Sequence, residues 1–273
     1  MPSGRDDTRL MPNDASQAAQ QARLATAEAI KVLVHDEDEA TLLALLENPN
    51  LAEPDIVHLL ERLNLSAKVL AAVAGAGKWT SSESVRLRLV RHPHTPRRVA
   101  LTLLRQLFLF DLVRVSLSPS APAEVRRVAE GIILARIPHL AVGEKLTLAR
   151  RGPSRVTGAI LSEGHPQAVK LALGNAFLTE SQILKVLAKP DVAARVVIAI
   201  AQHQKWSRQY NVRLALMRNA HTPAPVIQGI LPDLTLRDLK EIAKQEPMSP
   251  YATKYVQREL THRAERMRDN ADE

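Results

Sequence analysis

The sequence predicts an all-α fold, a right-handed α-solenoid of short helical repeats with an internal duplication. Three observations carry that prediction. One long stretch of the chain aligns with another; the apolar residues are almost all aliphatic; and short turn-then-helix segments recur along the chain. Self-similarity at a fixed period marks a repeat architecture, in which each unit buries its apolar face only by stacking on its neighbours.

The duplication is the strongest of the three. ENPNLAEPDIVHLLERLNLSAKVLAAVAGAGKW, from Glu47, aligns without a gap on GNAFLTESQILKVLAKPDVAARVVIAIAQHQKW, from Gly174. The match continues from SVRLRLVRHPHTP (Ser84 to Pro96) to NVRLALMRNAHTP (Asn211 to Pro223), with 19 identities in 50 positions at an offset of 127. A shift of one residue then pairs SLSPSAPAEVRRV (Ser116 to Val128) with KQEPMSPYATKYV (Lys244 to Val256).

Composition agrees. Of 273 residues, 45% are hydrophobic but only 3% aromatic, and there are ten glycines. Ala, Leu, Val and Ile must therefore fill the core, a palette suited to close helix packing, since Ala and Leu cost little to hold in a helix. The chain has no cysteine. This excludes disulfides, thiolate metal sites and cysteine nucleophiles together, and it fits a reducing compartment. The N-terminal residues show no apolar signal core, and no run reaches the ~18 apolar residues of a membrane span, so a cytoplasmic protein with no membrane partner is expected.

Taken in order, residues 1–13 read as a disordered leader. Residues 14–46 read as N-terminal helices, with Asp14 or Ser16 as a first cap and the acidic run Asp36-Glu37-Asp38-Glu39 at the start of the next helix, where the dipole favours negative charge. Residues 47–137 form a first repeat block, 138–173 linking helices, 174–262 a second block duplicating the first, and 263–273 a polar tail. Within the blocks, NPNLAEPDIVHLL, HPHTPRRVALTLL, SPSAPAEVRRVAEGIIL, NAFLTESQILKVL, NAHTPAPVIQGIL and EPMSPYATKYVQREL share one grammar. A polar residue opens a turn, Pro or a small residue enters the helix, and aliphatics follow.

On these residues the chain resembles a known family. VRLRLVRHPHTPRRVALTLL, followed by DLVRVSLSPSAPAEV, resembles the leucine-rich repeat variant motif, and more broadly is similar to HEAT-like repeats. The resemblance implies a curved surface for a partner. The cysteine-ligated iron–sulfur domain found in that family cannot be present without Cys, and the fold alone supplies no function.

Local motifs favour structural roles. Val85-Arg86-Leu87-Arg88-Leu89 alternates like a strand, but its duplicate VRLALM breaks the alternation, which favours helix. Ala74-Gly75-Ala76-Gly77-Lys78-Trp79-Thr80 imitates a P-loop but has Ala72 and Trp79 where a P-loop needs Gly and Ser/Thr, and the duplicate lacks glycine. Trp79 and Trp206, the two tryptophans, occupy equivalent positions; a shared packing role is favoured over stacking platforms for bases. His94 and His221, ahead of Pro96 and Pro223, are expected to support the repeated turn. His92 and His94 have no carboxylate or third His at ligand spacing, so no metal, cofactor or catalytic residue is expected.

One signal points outward. Arg86 to Arg155 holds 14 basic residues against 4 acidic ones, nearly all Arg, whose forked guanidinium binds phosphate or carboxylate bidentately. The candidate contacts are Arg86, Arg88, Arg91, Arg97, Arg98, Arg126, Arg127, Arg150, Arg151 and Arg155. The plainer reading is solvated helix faces in a bacterial protein rich in Arg codons. The expectation is a non-enzymatic helical-repeat scaffold for a protein partner; the alternative is a nucleic-acid-binding module using residues 86–155.

Overall fold

The computed structural model describes residues 12–244 and 250–269. The protein is all-helical: nineteen α-helices and two 3-10 turns, with no strand among the described residues. It divides into two compact units, Met1–Ile133 and Leu134–Glu273.

The first unit carries α1 (Pro12–Leu24), α2 (Ala27–Leu33), α3 (Glu39–Leu45), α4 (Glu53–Leu59), α5 (Ala67–Gly75), α6 (Gly77–Thr80), α7 (Glu83–Arg91), α8 (Arg97–Leu104), α9 (Leu109–Ser116) and most of α10 (Ala123–Arg136). The second carries α11 (Val142–Arg151), α12 (Ser154–Glu163), α13 (Pro166–Leu173), α14 (Glu180–Leu187), α15 (Ala194–Gln202), α16 (Tyr210–Arg218), α17 (Ala224–Ile230), α18 (Leu236–Ala243) and α19 (Pro250–Asp269). The 3-10 turns are Ile137–His139 and Leu231–Asp233.

Most of these helices have seven to ten residues, too short to stand alone in water, so packing must hold them. Within the first unit α3 packs on α1 and α5, and α7 on α4, α5, α8 and α9; within the second α13 packs on α11 and α15, and α16 on α14 and α18. Contacts thus run to near neighbours in the chain. Each helix sends aliphatic side chains inward: Val85, Leu89 and Val90 from α7, and their counterparts Val212, Leu216 and Met217 from α16, are buried. Each such side chain contributes about 1.5–3 kcal/mol by leaving water.

Caps fix the helix starts. The side chains of Thr26, Asp38, Ser66, Ser82 and Thr235 accept from backbone N–H groups three residues on, each such cap being worth about 1 kcal/mol. The acidic run at 36–39 stands at the start of α3, as expected, and Asp38 within it is the cap. Asp14 and Ser16, expected to cap the first helix, lie within α1, which begins at Pro12.

The helix register extends beyond the aligned stretch. α5 and α15 begin at Ala67 and Ala194, α7 and α16 at Glu83 and Tyr210, α2 and α12 at Ala27 and Ser154, α3 and α13 at Glu39 and Pro166, each pair 127 residues apart. Burial follows the same register: Ala22, Ile30, Val34, Leu42 and Leu45 correspond to Ala149, Thr157, Leu161, Val169 and Ala172, all buried. Residues 138–173, expected to link two blocks, thus hold helices whose starts and buried positions stand 127 residues after those of the first helices. Helix and burial register carry the signal there, because a core tolerates many simultaneous changes when total volume and patterning are kept, and the Thr157 hydroxyl is bonded to Gly152 O.

Residues 245–249 of the stretch expected to align with a one-residue shift lie outside the described residues; beyond them the offset can be read from burial. Buried Val125 and Ala129 of α10 correspond to buried Ala252 and Val256 of α19 at the unbroken offset of 127. The polar tail expected from residue 263 is helical as far as Asp269, and Arg263 donates from its guanidinium to the carbonyls of Leu231, Pro232 and Leu234. Residues 1–11 of the expected leader and 270–273 of the tail lie outside the described residues.

Candidate functional site

The repeated turn is built from buried polar side chains. Thr95 donates from Oγ1 to Leu89 O at 2.6 Å, and Thr222 does the same to Leu216 O at 2.6 Å. Pro96 and Pro223 then stand as the caps of α8 and α17. The histidines divide differently from expectation. Buried His92 bonds through Nε2 to Arg62 O at 2.7 Å, and its counterpart Asn219 donates through Nδ2 to Leu187 O at 2.9 Å. His94 bonds through Nδ1 to Leu65 O at 3.1 Å, whereas His221 is exposed and its backbone N–H donates to Asn219. The stronger turn-supporting pair is thus His92 and Asn219, an imidazole and an amide that reach a carbonyl alike; no identity marks it in the alignment. Burial, ahead of the charge of His94, pushes the His92 pKa below its ordinary value, although its bond to Arg62 O acts the other way.

Both tryptophans are buried, Trp79 at 5% and Trp206 at 2% exposure, so neither can stack on a base from solvent. Each lies under the ammonium of the preceding lysine, Lys78 at 4.0 Å and Lys205 at 4.1 Å from the ring centroid. They differ at one atom. Trp206 Nε1 donates to Leu173 O at 2.9 Å, while Trp79 Nε1 is buried without a partner.

The candidate arginines are not gathered into one site. Arg86 turns back onto the carbonyls of Thr80 and Ser81, as its counterpart Arg213 does onto Ser207. Arg97 is held bidentately by Glu124 at 2.6 and 2.7 Å. Arg126 is half-buried with an unpartnered Nε, and Arg98 and Arg127 are exposed, the latter close enough to Glu124 to lower its pKa after Arg97 has done so. Arg150, Arg151 and Arg155 belong to the second unit, where Arg150 and Arg151 border a shallow groove with Leu146 and Leu171.

Arg88 and Arg91 do converge. With Arg114 they line a groove of about 450 Å³ in the first unit, over Leu60, Leu63 and Leu87. Each guanidinium is tethered. Arg88 Nη1 donates to Ser84 Oγ at 2.7 Å, Arg91 Nε to Ser118 Oγ at 3.2 Å, and Arg114 Nη1 to Asp111 Oδ1 at 3.0 Å. Glu61 stands 3.7 Å from Arg88. The second unit has the same groove between α14 and α16, enlarged to about 710 Å³. The enlargement has a local cause: Ala188 and Ala215 stand where the first unit has Glu61 and Arg88.

A neighbouring carboxyl pair escaped the sequence reading. Glu83, at the start of α7, shares a hydrogen bond with buried Asp111 of α9, which with burial raises the Glu83 pKa above the ordinary carboxylate value; Arg86 and Arg114 act against that rise. The second copy replaces the pair by Tyr210, whose hydroxyl donates to Asp238. The two members lie far apart in sequence on different helices, so only the retained Asp at the 127-residue offset hinted at a role. Among the described residues, no group of three or more His, Asp or Glu is placed to hold a metal ion.

The chain matches no protein-family model, and no curated protein or solved structure shows significant similarity to it.

Proposed function

We propose that the chain is a right-handed α-solenoid of the leucine-rich repeat variant or HEAT-like kind, acting as a non-enzymatic scaffold for a protein partner. One observation supports this above others. The two copies keep the same buried turn bonds yet differ in what lines the matching groove, Glu61 and Arg88 against Ala188 and Ala215. A repeat protein that binds through its surface diverges in this way, since stacking constrains the interior and leaves exposed positions free. Near-neighbour helix packing within each unit supports the solenoid reading.

Nucleic-acid binding through residues 86–155 is the second reading. The exposed Arg98, Arg105, Arg150 and Arg151, whose guanidinium groups make no hydrogen bond or ion pair among the described residues, favour it. Against it stand the inward bonds of Arg86 and the Glu124 clamp on Arg97, which remove two phosphate contacts, and the burial of both tryptophans.

Site-specific photocrosslinking tests the choice. A benzophenone amino acid at Leu63 or Lys189, one in each groove, is expected to give in the source cells a discrete adduct that protease removes and nuclease does not. A nuclease-sensitive adduct would favour the second reading, and no adduct from either position would contradict the scaffold.

A further inference from the structure

We propose that the groove bordered by Arg88, Arg91 and Arg114 is a docking site for an acidic, aliphatic peptide segment of a protein partner. This rests on the scaffold reading and names the chemistry of the partner.

Three guanidinium groups converge on one groove of about 450 Å³. Like charges brought together raise the free energy of the empty groove; Glu61, 3.7 Å from Arg88, and Asp111, 3.0 Å from Arg114, offset part of that, and Arg91 is held by the neutral Ser118 hydroxyl. Packing does not require the trio. The same helical frame in the second copy holds Ala215 in place of Arg88 and Glu241 in place of Arg114. A charge cluster that the frame can omit is explained by a ligand of opposite sign.

The arginines are also held ready. Ser84, Ser118 and Asp111 each occupy one nitrogen of a guanidinium; among the described residues nothing bonds the two Nη atoms of Arg91 or Nη2 of Arg114. A tethered fork loses less freedom when it accepts a carboxylate, and a charge-assisted pair of this kind is the strong sort of hydrogen bond. Between the charges the groove carries Leu60, Leu63 and Leu87, of which Leu63 is 60% exposed. The imidazole that lines it, His92, is buried and bonded to Arg62 O, so it offers a base no open face to stack on. A segment with Asp or Glu flanking Leu, Ile, Val or Met satisfies both features at once; a nucleic acid satisfies only the charge.

A phage-displayed random peptide library panned on the full chain tests this. The selected peptides are expected to carry at least two acidic residues around an aliphatic one. A labelled synthetic copy should lose about tenfold or more in affinity for the Arg88→Ala/Arg114→Glu variant, and its binding should weaken as salt rises. Arg88→Ala copies Ala215 and should keep the parent's helical circular dichroism and melting. Arg114→Glu removes the positive charge beside the Glu83–Asp111 pair and should lower melting, so the single Arg88→Ala is measured beside the double variant and must lose affinity in the same direction. Peptides without acidic residues, acidic peptides that bind the variant as tightly as the parent, or no selected peptide at all would overturn the proposal. An oligonucleotide that binds the parent and loses the same affinity in the variant would overturn it in favour of nucleic acid. Selected peptides that ignore the variant leave the scaffold reading in place, whereas a nuclease-sensitive crosslink at Leu63 removes that reading itself.

Discussion

The side-chain amides of Asn48 and Asn175, 127 positions apart, each donate to two backbone carbonyls lying 26 and 23 residues earlier in the chain. For Asn48 these are Ala22 O and Ala25 O; for Asn175 they are Ala149 O and Gly152 O. Each amide oxygen in turn accepts from the backbone N–H two residues on, at Asn50 and Phe177. One buried side chain thus ties a turn to the end of a helix two elements back, in both copies.

Removing that clasp should be expensive. Asn48→Ala or Asn175→Ala leaves Ala22 O or Ala149 O without its side-chain donor, while Ala25 O keeps Asn50 Nδ2 and Gly152 O keeps Thr157 Oγ1; each is expected to lower unfolding stability by about 1–3 kcal/mol. Asn175→Ala should cost more, because its Nδ2 also donates to buried Thr157 Oγ1 at 2.9 Å. Urea melts followed by circular dichroism measure both; a cost within error of zero at either position would mean that the bond does not hold the turn.

His92 should make stability depend on pH. Its pKa is lowered in the folded chain from 6.5, chiefly by burial, so the unfolded chain binds the proton more readily. The associated stability is fully present above about pH 6.5 and is lost as pH falls below that towards the lower folded value. His92→Asn places the amide of Asn219 in the same role and removes the titration. Its melting temperature should match the parent at pH 7.5 and fall less steeply towards pH 5. The part due to His203, also lowered by burial and then by Lys205, should remain. An identical pH profile for parent and variant would refute the assignment.

The tryptophans should separate under the same substitution. Trp206→Phe deletes a buried N–H bonded to Leu173 O and leaves that carbonyl without its side-chain donor, whereas Trp79→Phe deletes a buried N–H that has no partner. Trp206→Phe is expected to cost about 1 kcal/mol more. Equal costs in denaturant melts would show that the difference at Nε1 carries no energy.

The all-α class was legible in the sequence because aliphatic periodicity and turn grammar both act locally, and the duplicated stretch placed most helices of the second half by analogy with the first. Two things were hidden. The opening helices of the second copy share few residues with those of the first, since Thr157 can replace Ile30 and Ala172 can replace Leu45 in a buried position without changing which face points inward. The groove was hidden because Arg88, Arg91 and Arg114 meet only after α7 and α9 pack; in sequence they are indistinguishable from Arg97, which Glu124 neutralises, or Arg86, which folds back on its own chain.

Hydrogen exchange followed by mass spectrometry tests the central claim, that the chain is two full copies of one helical frame with the second opening at its 3-10 turn rather than at Gly174. Peptides from α12 and α13 should exchange slowly, with protection comparable to that of α2 and α3 and concentrated at the same positions 127 residues on, Leu42–Leu45 against Val169–Ala172. If residues 139–173 exchange at the rate of an unstructured connection while 174–243 stay protected, the segment is a linker after all and the whole-chain duplication fails.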